Sequence, residues 1–324
     1  MSQSQPWVEK YRPRVLDDVV GNTAVIERLR ALAAEGNIPN LILTGPPGCG
    51  KTTSLLALCH QLLGDKEKDA VIELNASDDR GIDVVRKNIK EFAKRHVALP
   101  EGRHKVVLLD ESDSMTDAAQ QAMRRIMENY TKTTRFVFAC NQSEKVIEPI
   151  QSRCAIVRFS RVEENEIAAR LMKICELEGF KPESEGIATL ARLADGDMRT
   201  AINGLQSTYV RYGLVTQENV LATVDTPNPT AIADIFTALS TDNFRNALII
   251  LNGLEKRGHS PSDIVKSLFS FVRRTDTIQE KLKLSLLKEI GLAQMRVSQG
   301  MSSNLQLDGL LATLFKVYHQ APQQ

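Results

Sequence analysis

A chain of 324 residues exceeds one typical domain and predicts two or three. Its 42% hydrophobic and 25% charged content is that of an ordinary globular protein, and a net charge of +1 excludes a wholesale basic surface, so any nucleic-acid contact must come from local clustering. The five cysteines (Cys49, Cys59, Cys140, Cys154, Cys175) form no C-x-x-C pair or zinc-ligand spacing, which suits a reducing compartment. No apolar run approaches the roughly 20 residues of a membrane span, and the polar start Ser2-Gln3-Ser4-Gln5 is no secretory signal. These features predict a cytosolic or nuclear protein with no membrane partner.

The first predicted helix is Thr23–Glu35, with Val25, Ile26, Leu29, Leu32 and Ala33 on one face and Gly36 as its stop. An apolar strand, Leu41–Thr44, follows. It runs into Gly45-Pro46-Pro47-Gly48-Cys49-Gly50-Lys51-Thr52, a full match to the phosphate-binding pattern G-x-x-x-x-G-K-[ST], and then into a helix from Thr53 to Leu63. In this strand–loop–helix setting the glycines let backbone N–H groups turn inward as an anion nest, and the helix N-terminus adds partial positive charge. Lys51 supplies a point charge for the β- and γ-phosphates, and the Thr52 hydroxyl suits a magnesium ion. The segment predicts nucleoside triphosphate binding.

After a strand at Val71–Asn75, the stretch from Gly81 to Phe92 reads as a helix carrying Arg86, Lys87 and Lys90. Arg86 and Lys90 are four apart and share a face, a spacing that suits successive phosphates of a duplex; an ordinary solvated charged face is the alternative. In the strand Lys105–Asp110 the run from Val106 to Leu109 is wholly apolar and ends in Asp110 and Glu111, as expected of a central parallel strand buried on both faces. Side chains alternate along a strand, so the two carboxylates are expected to do different work. Asp110 is placed to hold Mg2+, largely through water, and Glu111 to orient and deprotonate an attacking water. A nucleotide hydrolase is favoured over a passive binder. Arg124 and Arg125 fall on the next helix, Asn141 ends a strand at Arg135–Cys140, and a last strand spans Ala155–Phe159. The alternation predicts a doubly wound α/β sheet with its ligand at the carboxyl ends of the strands.

From Val162 the strand signal disappears. Helical periodicity runs through Glu163–Glu178, Glu185–Ala194 and Met198–Tyr212. The prolines of Asp225-Thr226-Pro227-Asn228-Pro229 interrupt any helix there, and beyond them Asn243–Lys256, Pro261–Arg274 and Ser303–Tyr318 are again helical. The expected layout is an α/β module over 1–160, a small helical module over 161–225 and a C-terminal helical module over 226–324.

Four further segments give this layout a family. Trp7-Val8-Glu9-Lys10-Tyr11-Arg12-Pro13, the run from Glu73 to Gly81, Glu148-Pro149-Ile150-Gln151-Ser152-Arg153-Cys154 and Gly196-Asp197-Met198-Arg199 resemble the small subunits of replication factor C, the clamp loader within the AAA+ ATPases. The resemblance covers essentially the whole length. It implies a doubly wound AAA+ module followed by an all-α lid and an all-α collar, and a nuclear ATPase using ATP and Mg2+. Its implied partners are the other replication factor C subunits in a heteropentamer, the sliding clamp (PCNA) and primer–template DNA. One departure stands out: Ser112 replaces the alanine usual in the Asp-Glu-Ala-Asp motif, with both catalytic carboxylates intact.

The resemblance also distributes roles. Val8 and Val20 flank the adenine, and Gly45 to Thr53 surround the phosphates. Asn141 is the first sensor, although from sequence alone it could simply cap a loop. Arg199 is the second, at a helix start that the helix dipole does not favour for a cation. Arg153 projects into the neighbouring subunit's nucleotide site, which sequence by itself does not show. Arg80, Arg86, Lys90 and Arg124 follow the duplex backbone. Phe92, Val97, Leu99 and Pro100 form an exposed-looking apolar patch that meets the clamp, with core packing as the competing account of Phe92. A non-hydrolysing structural subunit of such a ring is the second reading, and intact Lys51, Asp110 and Glu111 argue against it. A helicase-type AAA+ protein is the third; the C-terminal helical module, lacking a winged-helix strand pattern, argues against that.

Overall fold

The computed structural model describes residues 5–76, 82–100, 102–224, 227–276, 278–301 and 303–320. Arg80 therefore lies outside the described residues, as does the side chain of Arg86. The chain divides into two units, Met1–Val220 and Leu221–Gln324.

In the first unit a short helix α1 (Trp7–Lys10) precedes α2 (Thr23–Glu35), which ends at Gly36 in the left-handed conformation. Then come β1 (Leu41–Thr44), α3 (Lys51–Leu63), α4 (Glu67–Ala70), β2 (Val71–Asn75), α5 (Ile82–Lys94), β3 (Lys105–Asp110), α6 (Asp117–Tyr130), β4 (Thr134–Cys140), α7 (Glu148–Gln151) and β5 (Ala155–Arg158). The five strands pair in parallel in the order β2-β3-β4-β1-β5. From β1 the chain crosses to the far edge, returns through β3 and β4, and closes with β5 on the other side of β1. The order thus reverses at β1, and that is where an open α/β sheet leaves a crevice at its carboxyl ends.

Both faces of the sheet are covered, which is why its central strands are continuously apolar. Leu41, Leu43, Val106, Leu108, Val137 and Ala139 pack with Leu29 of α2 and Leu55, Leu58 and Leu62 of α3. Their neighbours Ile42, Val107, Leu109, Phe136 and Phe138 face Ile89 of α5 and Met123, Ile126 and Met127 of α6. Each fully buried side chain of this kind contributes about 1.5–3 kcal/mol of transfer free energy.

Three helices follow within the same unit: α8 (Glu164–Glu178), α9 (Ser184–Ala194) and α10 (Met198–Tyr212). A reciprocal capping box between Glu163 and Glu166 starts α8, and left-handed Gly179 ends it. Asp197 caps α10, its carboxylate accepting from the backbone N–H groups of Arg199 (2.8 Å) and Thr200 (3.1 Å). Helix α11 (Gln217–Thr223) comes next.

The second unit is helical among its described residues: α12 (Pro229–Ser240), α13 (Phe244–Lys256), α14 (Pro261–Arg274), α15 (Glu280–Ser298) and α16 (Asn304–Gln320). Pro229 sits at the first turn of α12, with Asn228 as its cap, so the proline segment starts a helix as well as breaking one. Ile235, Leu239, Leu251, Leu268, Leu286, Ile290 and Leu314 form its core. Among the described residues no helix is long and apolar enough to cross a membrane.

Candidate nucleotide site

The glycine loop leaves β1 and enters α3 through three residues at positive φ, Gly45 (+156°), Gly48 (+65°) and Gly50 (+94°), a conformation that disfavours any residue with a Cβ. At Gly48 a Cβ would also collide with the carboxylate of Asp197. The Met198 N–H donates to the Gly48 carbonyl at 3.2 Å, so the start of α10 rests on the loop.

Lys51 opens α3 and is only 8% exposed. Its ammonium donates to the carbonyls of Gly45 and Pro46 (2.8 Å each) and to Asn141 Oδ1 (3.1 Å). Asn141 follows β4, the neighbour of both β1 and β3. The Thr52 hydroxyl donates to Asp110 Oδ2 at 2.8 Å. A hydroxyl beside a carboxylate is a hard oxygen pair that suits Mg2+, so the residues present fit that ion.

Glu111 departs from the expected alternation. The strand ends at Asp110, and Glu111 turns into the left-handed conformation (φ +50°) with its N–H bonded to Asp110 Oδ1 at 2.8 Å. A non-glycine residue held there stores on the order of 1–3 kcal/mol and must be fixed by its surroundings. Three bonds do so: Ser114 Oγ to the Glu111 carbonyl (2.7 Å), Ser112 Oγ to the Ala139 carbonyl (3.0 Å), and the Asn141 N–H to Asp113 Oδ2 (3.4 Å). Ser112, the departure from the family motif, is buried and ties the end of β3 to β4. What separates the two carboxylates is therefore a strained turn rather than strand alternation.

One cleft gathers most of the predicted residues. Val8 and Val20 line it with Pro47 to Thr53, Asp110, Glu111, Asn141 and, from α10, Arg199. Gly45 and Pro46 stand behind it, as acceptors for Lys51. Sequence reasoning missed Tyr11, Arg170 and Ile202 on its wall. It also missed how α1 is held. The Trp7 ring, in a residue 6% exposed, lies 6.1 Å from the Phe180 ring and 5.8 Å from that of Tyr209, and the Trp7 backbone N–H donates to Gln206 Oε1 at 3.0 Å. Lys10 Nζ (2.7 Å) and the Tyr11 hydroxyl (2.6 Å) both donate to Glu178 Oε1, while Arg170 Nη2 donates to the Tyr11 carbonyl at 2.7 Å. Burial raises Glu178, but those two bonds outweigh it and hold the carboxyl below its usual range; burial, then the bond to Glu178, pushes the Tyr11 phenol up. Partners nearly 200 residues apart leave no local signal.

Other predicted residues lie elsewhere. Arg153 does not line the cleft; its guanidinium donates to the Pro149 carbonyl (2.6 Å) and to Glu128 Oε1 (2.8 Å). Lys90 is exposed on α5, and Arg124 on the adjacent α6 pairs with Glu128 at 3.1 Å. Of the apolar patch, only Pro100 is exposed. Phe92, Val97 and Leu99 are half-buried, Phe92 against the α5–α6 face of the sheet and the other two against the opposite core. They are not one open patch, because Lys105 fastens this segment. Its buried ammonium, 4% exposed, donates to the carbonyls of Phe92 (2.9 Å), Ala93 (2.6 Å) and Arg95 (2.7 Å) at the end of α5. The α5 carbonyls fall in its last turn, where intrahelical donors run out, and burial lowers the lysine's pKa.

A parallel five-stranded sheet with a phosphate loop, an acidic strand end and a helical lid defines an ATPase module of the AAA type. Residues 41–162 match the model of the ATPase family associated with various cellular activities, and residues 227–313 match that of the replication factor C C-terminal domain. The chain belongs to the replication factor C family, among its small subunits. It is 53% identical to replication factor C subunit 4 of Schizosaccharomyces pombe over 96% of this chain and 91% of the relative. It is 52% identical to subunit 2 of Arabidopsis thaliana, covering 96% and 93%. The replication factor C small subunit of Archaeoglobus fulgidus is 41% identical, covering 97% and 98%. Among solved structures a RuvB mutant of Thermotoga maritima superimposes with a TM-score of 0.56 at 18% identity, over 71% of this chain and 80% of that one, a likeness of fold.

Proposed function

We propose that this chain is an ATP-hydrolysing small subunit of a nuclear, heteropentameric clamp loader that opens a sliding clamp and loads it onto primer–template DNA. The observation that carries the reading is the convergence, in one cleft, of Lys51 on Asn141, Thr52 on Asp110, and Glu111 in its strained turn, with Arg199 reaching in from the lid. Lys51 exchanges its carbonyl and amide partners for the β- and γ-phosphates of ATP. Thr52 and Asp110 hold Mg2+, which supplies charge neutralisation at the phosphates when bound. Glu111 accepts the proton of the attacking water, and Asn141 orients that water. Arg199 joins the phosphates to the lid, so that ATP draws α10 and the loop into one arrangement. Val8 and Val20 supply apolar contact for the base. Arg153, outside its own cleft, serves the neighbouring subunit's site, and Arg80, Arg86, Lys90 and Arg124 follow duplex phosphates without reading bases. Clamp contact falls to Pro100 and the outward edges of Phe92, Val97 and Leu99.

The test is single-turnover hydrolysis by the assembled complex in which this site alone is intact. Glu111→Gln there should retain ATP binding and slow hydrolysis by roughly 100-fold or more, because the amide keeps the shape and loses the base. A normal rate from the mutant site would mean another residue activates the water. No hydrolysis from the wild-type site would instead favour the structural-subunit reading.

A further inference from the structure

Glu128 of α6 is absorbed by none of the roles above, yet it holds two of the arginines to which they are given. Its Oε1 accepts from Arg124 Nε at 3.1 Å and from Arg153 Nη2 at 2.8 Å. The second terminal nitrogen of Arg153, Nη1, is fixed at 2.6 Å on the Pro149 carbonyl at the start of α7. Both ends of the guanidinium fork are therefore engaged within this chain, one by α6 and one by α7. Arg153 lies just beyond α7, and its own flexible stem would otherwise leave it free to sample many rotamers.

We infer that Glu128 is the positioning residue for Arg153, setting its guanidinium in the orientation in which it meets a neighbouring subunit's γ-phosphate. The inference rests on the proposed role of Arg153 in trans. An isolated exposed ion pair would do this poorly, since ordering two long side chains consumes most of the Coulomb gain. Here that cost is already met in part. Arg124, one helical turn away on the same helix, fixes the carboxylate, so Arg153 docks on an ordered acceptor. The side chains of Glu128 and Arg153 are 40% and 38% exposed, which leaves the guanidinium accessible to an incoming anion while limiting its excursions. An arginine held this way loses less freedom when the neighbour's transition state forms, so the carboxylate acts on the neighbour's turnover rather than on its nucleotide affinity.

The experiment uses the reconstituted complex with every ATP site inactivated except the neighbour's site that faces Arg153. Three variants of this chain are compared: Arg153→Ala, Glu128→Gln and Glu128→Asp. Arg153→Ala sets the scale of the finger's full contribution. Glu128→Gln is expected to lower the neighbour's kcat by about two- to five-fold, the range of an exposed but networked pair, with KM for ATP unchanged. Glu128→Asp, which keeps the charge, should recover part of that loss. ATP affinity at this chain's own site, and the melting temperature of the complex, should not move. If Arg153→Ala slows the neighbour but Glu128→Gln leaves kcat unchanged or raises it, the positioning role is overturned, an increase meaning that the carboxylate sequesters the finger. A change confined to KM overturns it as well. If Arg153→Ala itself leaves the neighbour's rate untouched, it is the trans reading beneath the inference that fails.

Discussion

Replacing Trp7 with alanine tests how the nucleotide cleft is walled. Trp7 is the only tryptophan of the chain and is 6% exposed against the stacked rings of Phe180 and Tyr209. Truncating a core aromatic of this size costs about 3–5 kcal/mol where the structure cannot yield. Here it can yield, because α1 is only four residues long, so the loss is capped by the free energy that docks α1. The bonds that remain, the backbone N–H of residue 7 to Gln206, Lys10 and Tyr11 to Glu178, and Arg170 to the Tyr11 carbonyl, are at best partly buried and cannot replace the indole. We therefore expect α1 to detach while the sheet and lid cores stay folded. Val8 and Tyr11 would then leave the cleft wall. Losing about 1.4 kcal/mol of contact to the base corresponds to a tenfold weaker Kd for ATP, and we expect a loss of that order or greater. Equilibrium titration with labelled ATP measures it, and limited proteolysis after Lys10 reports detachment. In the wild type, emission from the lone indole should shift when ATP binds. Unchanged ATP affinity in a variant whose α1 is demonstrably released would refute the argument.

Lys51→Ala should abolish productive ATP binding, since among the described residues no other cation of the loop meets the Gly45, Pro46 and Asn141 cluster; unchanged affinity for labelled ATP would sink the loop assignment. Arg86→Ala combined with Lys90→Ala should weaken DNA binding alike for all primer–template sequences and lower the log–log salt slope by up to about two. If affinity and slope both stay put, that helix face is merely solvated. In the second unit, Glu255 Oε1 on α13 and Asp308 Oδ1 on α16 lack hydrogen-bond partners among the described residues. Burial and then the charge of Asp308 raise the Glu255 pKa above its ordinary 4.5. A carboxyl whose folded pKa is raised contributes stability below its unfolded pKa and loses it as pH climbs through the folded value. Asp308→Asn should therefore raise the melting temperature at neutral pH, by an amount worth less than about 1 kcal/mol after solvent screening, with the gain vanishing below 4.5. A gain that is flat with pH would show that repulsion between the two carboxyls is not its cause.

The central strands were legible because a parallel sheet covered on both faces demands uninterrupted apolar runs. Leu41–Thr44 and the Val106–Leu109 stretch of β3 are such runs, while the edge strand Val71–Asn75, part-exposed and carrying Glu73, has its expected bounds without being one. The loop was legible because its two fixed glycines answer local requirements, Gly45 a close approach to the Phe159 carbonyl and Gly50 a positive φ. Glu111 was misread in its geometry, since strand alternation holds only while the strand continues and here it stops one residue earlier. The apolar segment after α5 looked open because hydropathy cannot tell a patch from side chains leaning into two separate cores. Lys105 shows the same limit: a lysine inside an apolar strand reads as a surface residue until the helix carbonyls it satisfies are in view. Glu128, like the anchoring of Trp7, depends on partners that only the fold brings together.

The contact between Gly48 and the start of α10 makes the lid answer to the loop as a latch answers to its strike plate. The helix carrying Arg199 is registered on the phosphate loop by a backbone hydrogen bond and by a carboxylate seated where a Cβ would stand. Swinging the lid outward must break that bond and bare the Gly48 carbonyl, so the resting gap is set by the smallest residue available. Any side chain at position 48 would meet the Asp197 carboxylate and strain the loop together, so one residue keeps both the loop's shape and the seat of the lid.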